Sequence, residues 1–352
     1  MNPRIQQLIS RFKEHHVDAF LVTSDINIRY LTDFPSAESW LLICPKRVFY
    51  LTDFRYVWEA RQALSSLRII IKPYTTSLPE ALCETASSMK LRRIGFDDRH
   101  VSLATFKKMT EHSPKTIRWI PIPKIVEEWR EIKSTYEINQ IKKALKIHDQ
   151  AQRYLKSMIR PGLTEKYLLK RLEDFVRSKE AFFSFPPIIA SGPNSCFPHA
   201  KVTARRLRSR EVVLTDMGID FQGYKSDLTR MVFLGTIPRF VKEIHDIVRR
   251  AQALAIEKVK AGVLASDVDA EARRYLAHNG VGKFFGHSLG HGVGLEIHEA
   301  PSISQKNPSP LKEGMIFTIE PAVYLPHKFG IRIEDMVLVS AQGCEVLSAD
   351  IH

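Results

Sequence analysis

Two segments in the C-terminal half of this chain repeat one pattern of paired carboxylates between apolar strands. In the first segment, Asp216 follows an apolar run and Asp227 opens the next one, with glycines between them. In the second, Glu320 and Glu334 occupy the corresponding places. Because an antiparallel strand pair brings the ends of such a segment side by side, each segment is predicted to gather two acids. Carboxylates within buried strands are costly unless they are paired or coordinated, so the fold has to compensate them.

A histidine in a glycine-rich loop lies between the two segments. His291 is followed by Gly-Val-Gly-Leu-Glu-Ile and then by His298. Four carboxylates and one imidazole converging from apolar strands need a cation to offset their repulsion, which predicts a metal centre. Such a donor set favours Mn²⁺, with Co²⁺, Zn²⁺ or Fe²⁺ as alternatives, and suits two ions bridged by carboxylates. The alternative, that these acids merely end strands at the surface, is disfavoured because the pattern occurs twice.

Length and cysteine usage bound the class of protein. The 352 residues suffice for two domains, and 44% hydrophobic with 26% charged residues is typical of globular proteins. The N-terminus lacks the continuous apolar stretch of a signal peptide or membrane anchor. The cysteines are scattered, without metal-binding or disulfide-scaffold spacing; they are Cys44, Cys83, Cys196 and Cys344. We therefore expect a cytoplasmic protein with reduced thiols and no membrane partner.

The net charge of +13 raises the question of a nucleic-acid partner. The densest basic run, residues 201–210, is interrupted by apolar residues and lacks aromatic neighbours that could stack on bases. Most other basic side chains lie among acids on predicted helices. A solvated basic face is favoured over a binding surface, so no nucleic-acid partner is predicted. The role of residues 201–210 stays open at this point.

Predicted helices and strands alternate through the first ~120 residues, which favours an α/β domain. The prolines in Trp119–Pro123 interrupt helix formation and mark a boundary. Beyond it, predicted helices near residues 241–259 and 266–278 are separated by strands, which favours an α+β domain. We predict an N-terminal α/β domain over residues 1–124 and a larger α+β domain over residues 125–352.

The predicted ligands lie in motifs that resemble the pita-bread metallopeptidases, a family that includes aminopeptidase P, prolidase and methionine aminopeptidase. The matching motifs are those around Asp216, Asp227, His291, Glu320 and Glu334, with Phe197-Pro-His199-Ala upstream. Further segments resemble the proline-specific branch: residues 29–34, 50–56, 190–195, 223–230 and 286–299. The resemblance implies a C-terminal pita-bread (creatinase/aminopeptidase-like) catalytic domain. It also implies a smaller creatinase-N-like α/β domain that takes part in pocket closure and dimerisation.

The resemblance also implies a role for each acid. Two divalent metal ions would be held per subunit, with Asp216 chelating one of them. Asp227 and Glu334 would bridge both ions, and His291 with Glu320 would complete the second. Glu320 would in addition take the proton from the attacking water.

Four other residues receive roles by the same resemblance. His298 would stabilise the oxyanion of the tetrahedral intermediate. His199 would bind substrate or pass a proton to the departing proline nitrogen, and His287 would line the pocket near the proline ring. Arg332, expected on the same strand face as Glu334, would orient acidic ligands or meet a substrate carboxylate. A plain structural role remains the alternative for each of the three histidines.

The resulting functional hypothesis is a dinuclear metallopeptidase that removes an N-terminal residue preceding proline. Its substrates would be peptides with proline at the second position, and a homodimer is expected. A dipeptidase of the prolidase type is the alternative within this class. A non-catalytic binding module and a metal-free hydrolase such as creatinase are alternatives outside it, but the intact set of five ligands disfavours both.

Overall fold

The computed structural model describes residues 2–351, which divide into two compact units. The first unit ends at Arg130 and the second begins at Glu131. None of the helices in the described residues is both long enough and apolar enough to cross a membrane.

The N-terminal unit contains a mixed six-stranded sheet with strand order β4-β3-β2-β1-β5-β6. The strands are β1 (Ala19–Val22), β2 (Trp40–Ile43), β3 (Val48–Thr52), β4 (Ile69–Pro73), β5 (Arg93–Phe96) and β6 (Arg118–Pro121). The helices are α1 (Pro3–Ser10), α2 (Asp25–Thr32), α3 (Val57–Ala63), α4 (Leu78–Ser88), α5 (Leu103–His112) and α6 (Glu127–Arg130). β2 and β3 form an antiparallel hairpin, and β5 and β6 extend the sheet in parallel. The predicted α/β character of this part is confirmed.

The second unit has four long helices. These are α7 (Thr135–Met158), α8 (Glu165–Arg177), α9 (Arg239–Lys258) and α10 (Ala265–His278). Its first strands are β7 (Phe182–Phe183), β8 (Ile188–Ser191), β9 (Val212–Met217), β10 (Ile219–Phe221), β11 (Tyr224–Lys225) and β12 (Leu228–Phe233). The remaining strands are β13 (Gly290–Gly292), β14 (Glu299–Ile303), β15 (Ile316–Ile319), β16 (Ala322–Leu325), β17 (Phe329–Arg332), β18 (Asp335–Val339) and β19 (Cys344–Val346).

Each pair of helices in this unit covers one group of strands. Apolar residues of α7 and α8, such as Leu155 and Leu168, share a buried cluster with Val213 of β9. Residues of α9 and α10, such as Val248, share another cluster with Phe317 of β15. Because each helix buries one apolar stripe, each helix pair can support a sheet on one side only. The other side of the strands is left to carry polar side chains.

Side-chain caps define where several helices begin. Ser24 and Ser77 each accept a hydrogen bond from a backbone N–H in the first turn of α2 and α4. Ser134 and Glu137 form a reciprocal capping box at the start of α7. Thr164 caps α8, as its sequence position predicts.

The two carboxylate segments share one architecture that is more elaborate than a simple hairpin. β9 pairs antiparallel with β12, and β15 pairs antiparallel with β18. Within each pair the connecting residues fold into a smaller hairpin, β10–β11 in the first segment and β16–β17 in the second. The predicted strand pairing is present, but the connections are strands rather than turns.

Candidate metal centre

The two strand pairs place the four acids close together. Asp216 lies in β9, and Asp227 immediately precedes β12, the partner of β9. Glu320 immediately follows β15, and Glu334 immediately precedes β18, so the register of this pair sets them side by side as well. All four side chains line one cavity of about 1190 Å³. His291, on β13 next to β15, lines the same cavity.

The imidazole of His291 faces two of these carboxylates. Its Nε2 lies 3.6 Å from Asp227 Oδ2 and 3.4 Å from Glu320 Oε1. Its Nδ1 lies 3.2 Å from the carbonyl oxygen of Gly292, which can only accept a hydrogen bond, so Nδ1 carries the proton. Burial, followed by the neighbouring His298, lowers the pKa of His291 to about 4. Nε2 therefore directs a lone pair at two carboxylate oxygens, which repel it. A cation placed between these three atoms would remove that repulsion.

Burial raises the pKa of all four acids, and repulsion between carboxylates raises it further for three of them. The pKa values of Asp227 and Glu334 are raised well above their usual range, first by burial and then by neighbouring carboxylates. Burial raises the pKa of Glu320 to about 8 and also raises that of Asp216. Among residues 2–351, the guanidinium of Arg332 is the one protein group that offsets the negative charge of these four acids.

The donors present fit divalent metal ions. One ligand atom each from Asp227, His291 and Glu334 lie within 4.8 Å of one another. The buried Oδ1 of Asp216 has no hydrogen-bond partner among residues 2–351. Carboxylate oxygens with one imidazole are the donors that Mn²⁺, Co²⁺, Fe²⁺ and Zn²⁺ accept in proteins. The chemistry of this donor set therefore agrees with the metal centre that the sequence predicts.

The raised pKa values predict how metal removal changes stability with pH. Without metal, the folded protein binds more protons than the unfolded chain, so these acids reduce the free energy of unfolding as pH rises from about 4.5 to about 8. Metal ions bind the deprotonated carboxylates and reverse this trend. We expect the difference in melting temperature between Mn²⁺-loaded and metal-stripped protein to increase over that interval. Thermal unfolding at both ends of the interval measures it, and a difference that stays constant would contradict the assignment.

Arg332 is fully engaged within the protein. Its Nη1 donates to the Tyr324 hydroxyl at 2.6 Å and to the Pro198 carbonyl oxygen at 3.1 Å, while Nη2 donates to Asp216. Its Nε donates to Thr229 Oγ1 at 3.0 Å. Of the two roles left open by the sequence, these contacts favour the orientation of an acidic ligand.

The expectation that Arg332 and Glu334 share one strand face is wrong. β17 ends at Arg332 and β18 begins at Asp335, so Glu334 lies in the connection between two strands. Both side chains nevertheless line the cavity, because the chain changes direction between them.

The three predicted histidines line the cavity and differ in their exposure. His287 is held at both nitrogens, with Nδ1 2.8 Å from the Ser288 carbonyl oxygen and Nε2 3.1 Å from the Tyr324 hydroxyl. The ring of His298 lies against that of His291, with centroids 4.2 Å apart. His199 and His298 are exposed on the cavity wall. Thus all nine residues singled out from the sequence line one cavity.

Three supporting residues were missed by the sequence analysis. Thr229 donates to Glu334 Oε2 at 2.7 Å, and Thr318 donates to Glu320 Oε1 at 3.2 Å. Tyr324 connects Arg332 to His287. Strand alternation could have revealed Thr318, because it lies two residues before Glu320 on the same side of the strand. Thr229 and Tyr324 act across strands, which no local pattern indicates.

Specific contacts hold the basic stretch 201–210 against neighbouring parts of the second unit. Thr203 donates to the buried carboxylate of Glu165 through both its N–H and its hydroxyl. Arg205 forms an ion pair with Glu211, and Arg206 donates to the Gly162 carbonyl oxygen. These contacts anchor the segment that follows His199. They explain part of the basic run by contacts within the protein.

A second group of acids and a histidine lies in the N-terminal unit. Asp97, His100 and Glu127 come close enough to share an ion. However, Arg99 Nη2 lies 2.6 Å from Asp97 and 2.9 Å from Glu127, and His100 Nε2 lies 2.6 Å from Glu127. The carboxylates are therefore compensated by protein cations, and this group does not call for a metal.

Comparisons with known proteins agree with this geometry. The chain matches metallopeptidase family M24 over residues 139–341 and the creatinase/prolidase N-terminal domain over residues 4–132. It is 31% identical to an Xaa-Pro dipeptidase of Pyrococcus horikoshii, with 99% of this chain and 97% of the relative covered.

Two solved structures are similar over nearly their whole length. An Xaa-Pro dipeptidase from Bacillus anthracis superimposes with a TM-score of 0.93 at 34% identity, covering 99% of this chain and 97% of that one. An X-Pro aminopeptidase from Thermotoga maritima MSB8 gives a TM-score of 0.89 at 35% identity, covering 98% and 97%. Since the family model spans more than half of the chain and the predicted fold class is confirmed, this protein belongs to metallopeptidase family M24, with a creatinase/prolidase N-terminal domain.

Proposed function

We propose that this protein is an Xaa-Pro aminopeptidase, a metal-dependent exopeptidase that hydrolyses the bond between an N-terminal residue and proline. One observation carries the proposal: five potential ligands and three histidines line a single cavity in a fold whose similar structures are Xaa-Pro peptidases. An Xaa-Pro dipeptidase activity is the alternative, since similar structures bear both activities in their names.

In this proposal two divalent ions are held by Asp216, Asp227, His291, Glu320 and Glu334. When bound, such ions activate water and polarise the carbonyl of the bond to be cleaved. Mn²⁺ is our proposed native metal, because four of the five donors are carboxylates. The protein contributes a buried site whose supporting hydrogen bonds, from Thr229, Thr318 and Arg332, fix the acids in place.

Glu320 is the proposed general base. Its carboxylate accepts a hydrogen bond from Thr318 at one oxygen, and its backbone N–H donates to the Leu289 carbonyl oxygen at 2.8 Å. A carboxylate held at the cavity wall in this way suits removal of a proton from the attacking water.

Two histidines with exposed side chains are proposed to act on the substrate. His298 donates a hydrogen bond to the oxygen on which negative charge develops. His199, on the segment after Pro198, passes a proton to the proline nitrogen as that nitrogen departs. A proline nitrogen carries no hydrogen in the peptide bond, so it leaves only once it receives a proton.

The remaining wall of the cavity suits a pyrrolidine ring. Apolar side chains there include Phe185, Pro186, Pro187 and Phe284. His287 is fixed by hydrogen bonds at both nitrogens and packs edge-on against Phe285, with centroids 4.9 Å apart. We propose that His287 lines the proline subsite without donating to the substrate.

Two features favour the aminopeptidase over the dipeptidase. The guanidinium of Arg332 is occupied by four protein groups, so it is poorly placed to receive the carboxylate of a dipeptide. The cavity of about 1190 Å³ also exceeds the ~300–1,000 Å³ typical of small-ligand sites. A cavity of that size has room for the substrate residues that follow the proline.

Comparison of three peptides under one metal condition tests the proposal. We expect hydrolysis of Ala-Pro-Ala to exceed that of Ala-Ala-Ala by about 10²-fold, because a pocket shaped for the ring gains nothing from a secondary amide. Cleavage of Ala-Pro alone would instead support the dipeptidase. Rapid cleavage of Ala-Ala-Ala with both proline peptides intact would overturn the proline specificity. Only the assignment to the metallopeptidase family would then stand.

Compartment and assembly remain predictions. The four cysteines are free thiols in the structure, as expected for a reducing compartment, which supports our proposal of a cytoplasmic enzyme. The proposed homodimer, with the N-terminal domain taking part in dimerisation and pocket closure, is tested by the molecular mass in solution.

A further inference from the structure

A buried ion pair lies directly beside the proposed oxyanion-binding histidine. Lys133 Nζ lies 2.8 Å from Glu299 Oε1, and the two side chains are only 2% and 5% exposed. Glu299 is the residue after His298. Removing two charges from water costs about as much free energy as their attraction returns, so stability alone does not explain such a pair.

Glu299 closes the loop that connects His291 to His298. Its Oε2 accepts a hydrogen bond from the Glu296 N–H at 3.3 Å. Its carboxylate also lies so close to Gly294 that a Cβ at that position would come within 2.3 Å of Oε1. The same Gly294 accepts a hydrogen bond from the Lys225 N–H at 3.0 Å. Thus the carboxylate of Glu299 fixes the course of the loop.

Lys133 is anchored independently of that loop. Its backbone N–H donates to the Gly314 carbonyl oxygen at 2.9 Å, and Ile132 beside it forms a bridge with Met315. The capping box of Ser134 begins α7 immediately afterwards. The backbone of Lys133 is therefore fixed by its neighbours, and its ammonium holds the Glu299 carboxylate in place.

The ring of His298 depends on this backbone for its position. Among residues 2–351 its ring nitrogens have no hydrogen-bond partner, and its ring contact is with His291, at an interplanar angle of 69°. A side chain without hydrogen bonds of its own is placed by the backbone that carries it. That backbone is held by the next residue, Glu299.

We propose that Glu299, held by Lys133, is a positioning residue that sets the place of the His298 ring in the cavity. The inference rests on the proposed function only in that His298 serves the reaction. Glu299 acts through His298 and has no contact with substrate. Loss of the carboxylate is therefore expected to impair turnover more than substrate binding.

A double-mutant cycle on the metal-loaded enzyme tests the coupling. Glu299→Gln is expected to lower kcat by about 10-fold or more with KM within about threefold, and His298→Ala to lower kcat by about 10²–10³-fold. In the His298→Ala background, Glu299→Gln should have no further effect on kcat. Independent, multiplying losses would overturn the proposal, as would wild-type kcat in Glu299→Gln.

The melting temperature and kcat should respond differently in a second pair of variants. Lys133→Met removes the ammonium that faces the buried Glu299 carboxylate, whereas Lys133→Met/Glu299→Leu removes both charges of the pair, so the double variant should melt higher than the single one. Its kcat should stay low, because the loop is no longer held. Recovery of kcat together with melting temperature would show a purely structural pair and overturn the proposal. Glu345→Gln is the matched control, since its pair with Lys142 is half-exposed.

A measurement without turnover separates this inference from the proposed activity. In Zn²⁺-loaded protein, the Cε1–H resonance of His298 is identified by its loss in His298→Ala. We expect this resonance to shift in Glu299→Gln and to stay in place in Glu345→Gln. An unmoved resonance in Glu299→Gln would overturn the positioning role, whichever peptides the enzyme cleaves.

Discussion

Glu320→Gln is expected to lower kcat by about 10³-fold while the protein stays folded. Glutamine has nearly the same shape and can still accept the hydrogen bond from Thr318, which lies 3.2 Å from the carboxylate. It cannot take a proton from water, so the proposed base is lost. Burial raises the pKa of Glu320 to about 8, so near neutral pH the metal-stripped protein holds this group largely protonated, and a neutral glutamine replaces a neutral acid in the stripped variant. Its melting temperature should therefore not fall.

Kinetics must be read together with metal content in this experiment, because Glu320 is also a proposed ligand. The expected variant binds metal but turns over slowly, and metal analysis of the assayed sample checks this. Glu313→Gln is a suitable control, since this exposed acid precedes the same strand. A Glu320→Gln enzyme that retains kcat within about threefold would exclude Glu320 as the base, given that one general base contributes about 10²–10⁴-fold.

Much of the site follows from local sequence patterns. Apolar runs interrupted by acids are rare in buried strands, so Asp216, Asp227, Glu320 and Glu334 are conspicuous without any structure. The repeated pattern also predicts the antiparallel pairing, which places both ends of each segment together. The mixed sheet of the N-terminal unit follows from alternating helices and strands.

Contacts between distant parts of the chain could not be predicted in this way. The inner hairpin β16–β17 carries Tyr324 and Arg332 to the acids, but its short strands resemble turns in the sequence. Lys133 and Glu299 are far apart in the sequence and meet only through the tertiary fold. The same applies to the guanidinium of Arg332, whose four partners come from four separate segments. Periodicity describes one element at a time, whereas these pairs depend on packing.

Metal removal is expected to abolish peptidase activity. Stripped protein should lose at least about 10³-fold in kcat/KM, and Mn²⁺ or Co²⁺ should restore it as about two ions bind per chain. The reason lies in the acids themselves: without cations, burial and mutual repulsion raise the pKa values of Asp227 and Glu334, so the site takes up protons instead. Metal analysis and activity measured along one titration check both statements.

One ligand can be removed to test whether the acids are the binding groups. Asp227→Asn should reduce the number of ions bound and the restored activity, because its carboxylate faces both His291 and Glu334. Asp220→Asn is the matched control: this acid lies seven residues earlier and is paired with Lys225 on the inner hairpin. Equal metal binding by the two variants would place the ions elsewhere. Full activity of exhaustively stripped wild-type protein would exclude metal catalysis altogether.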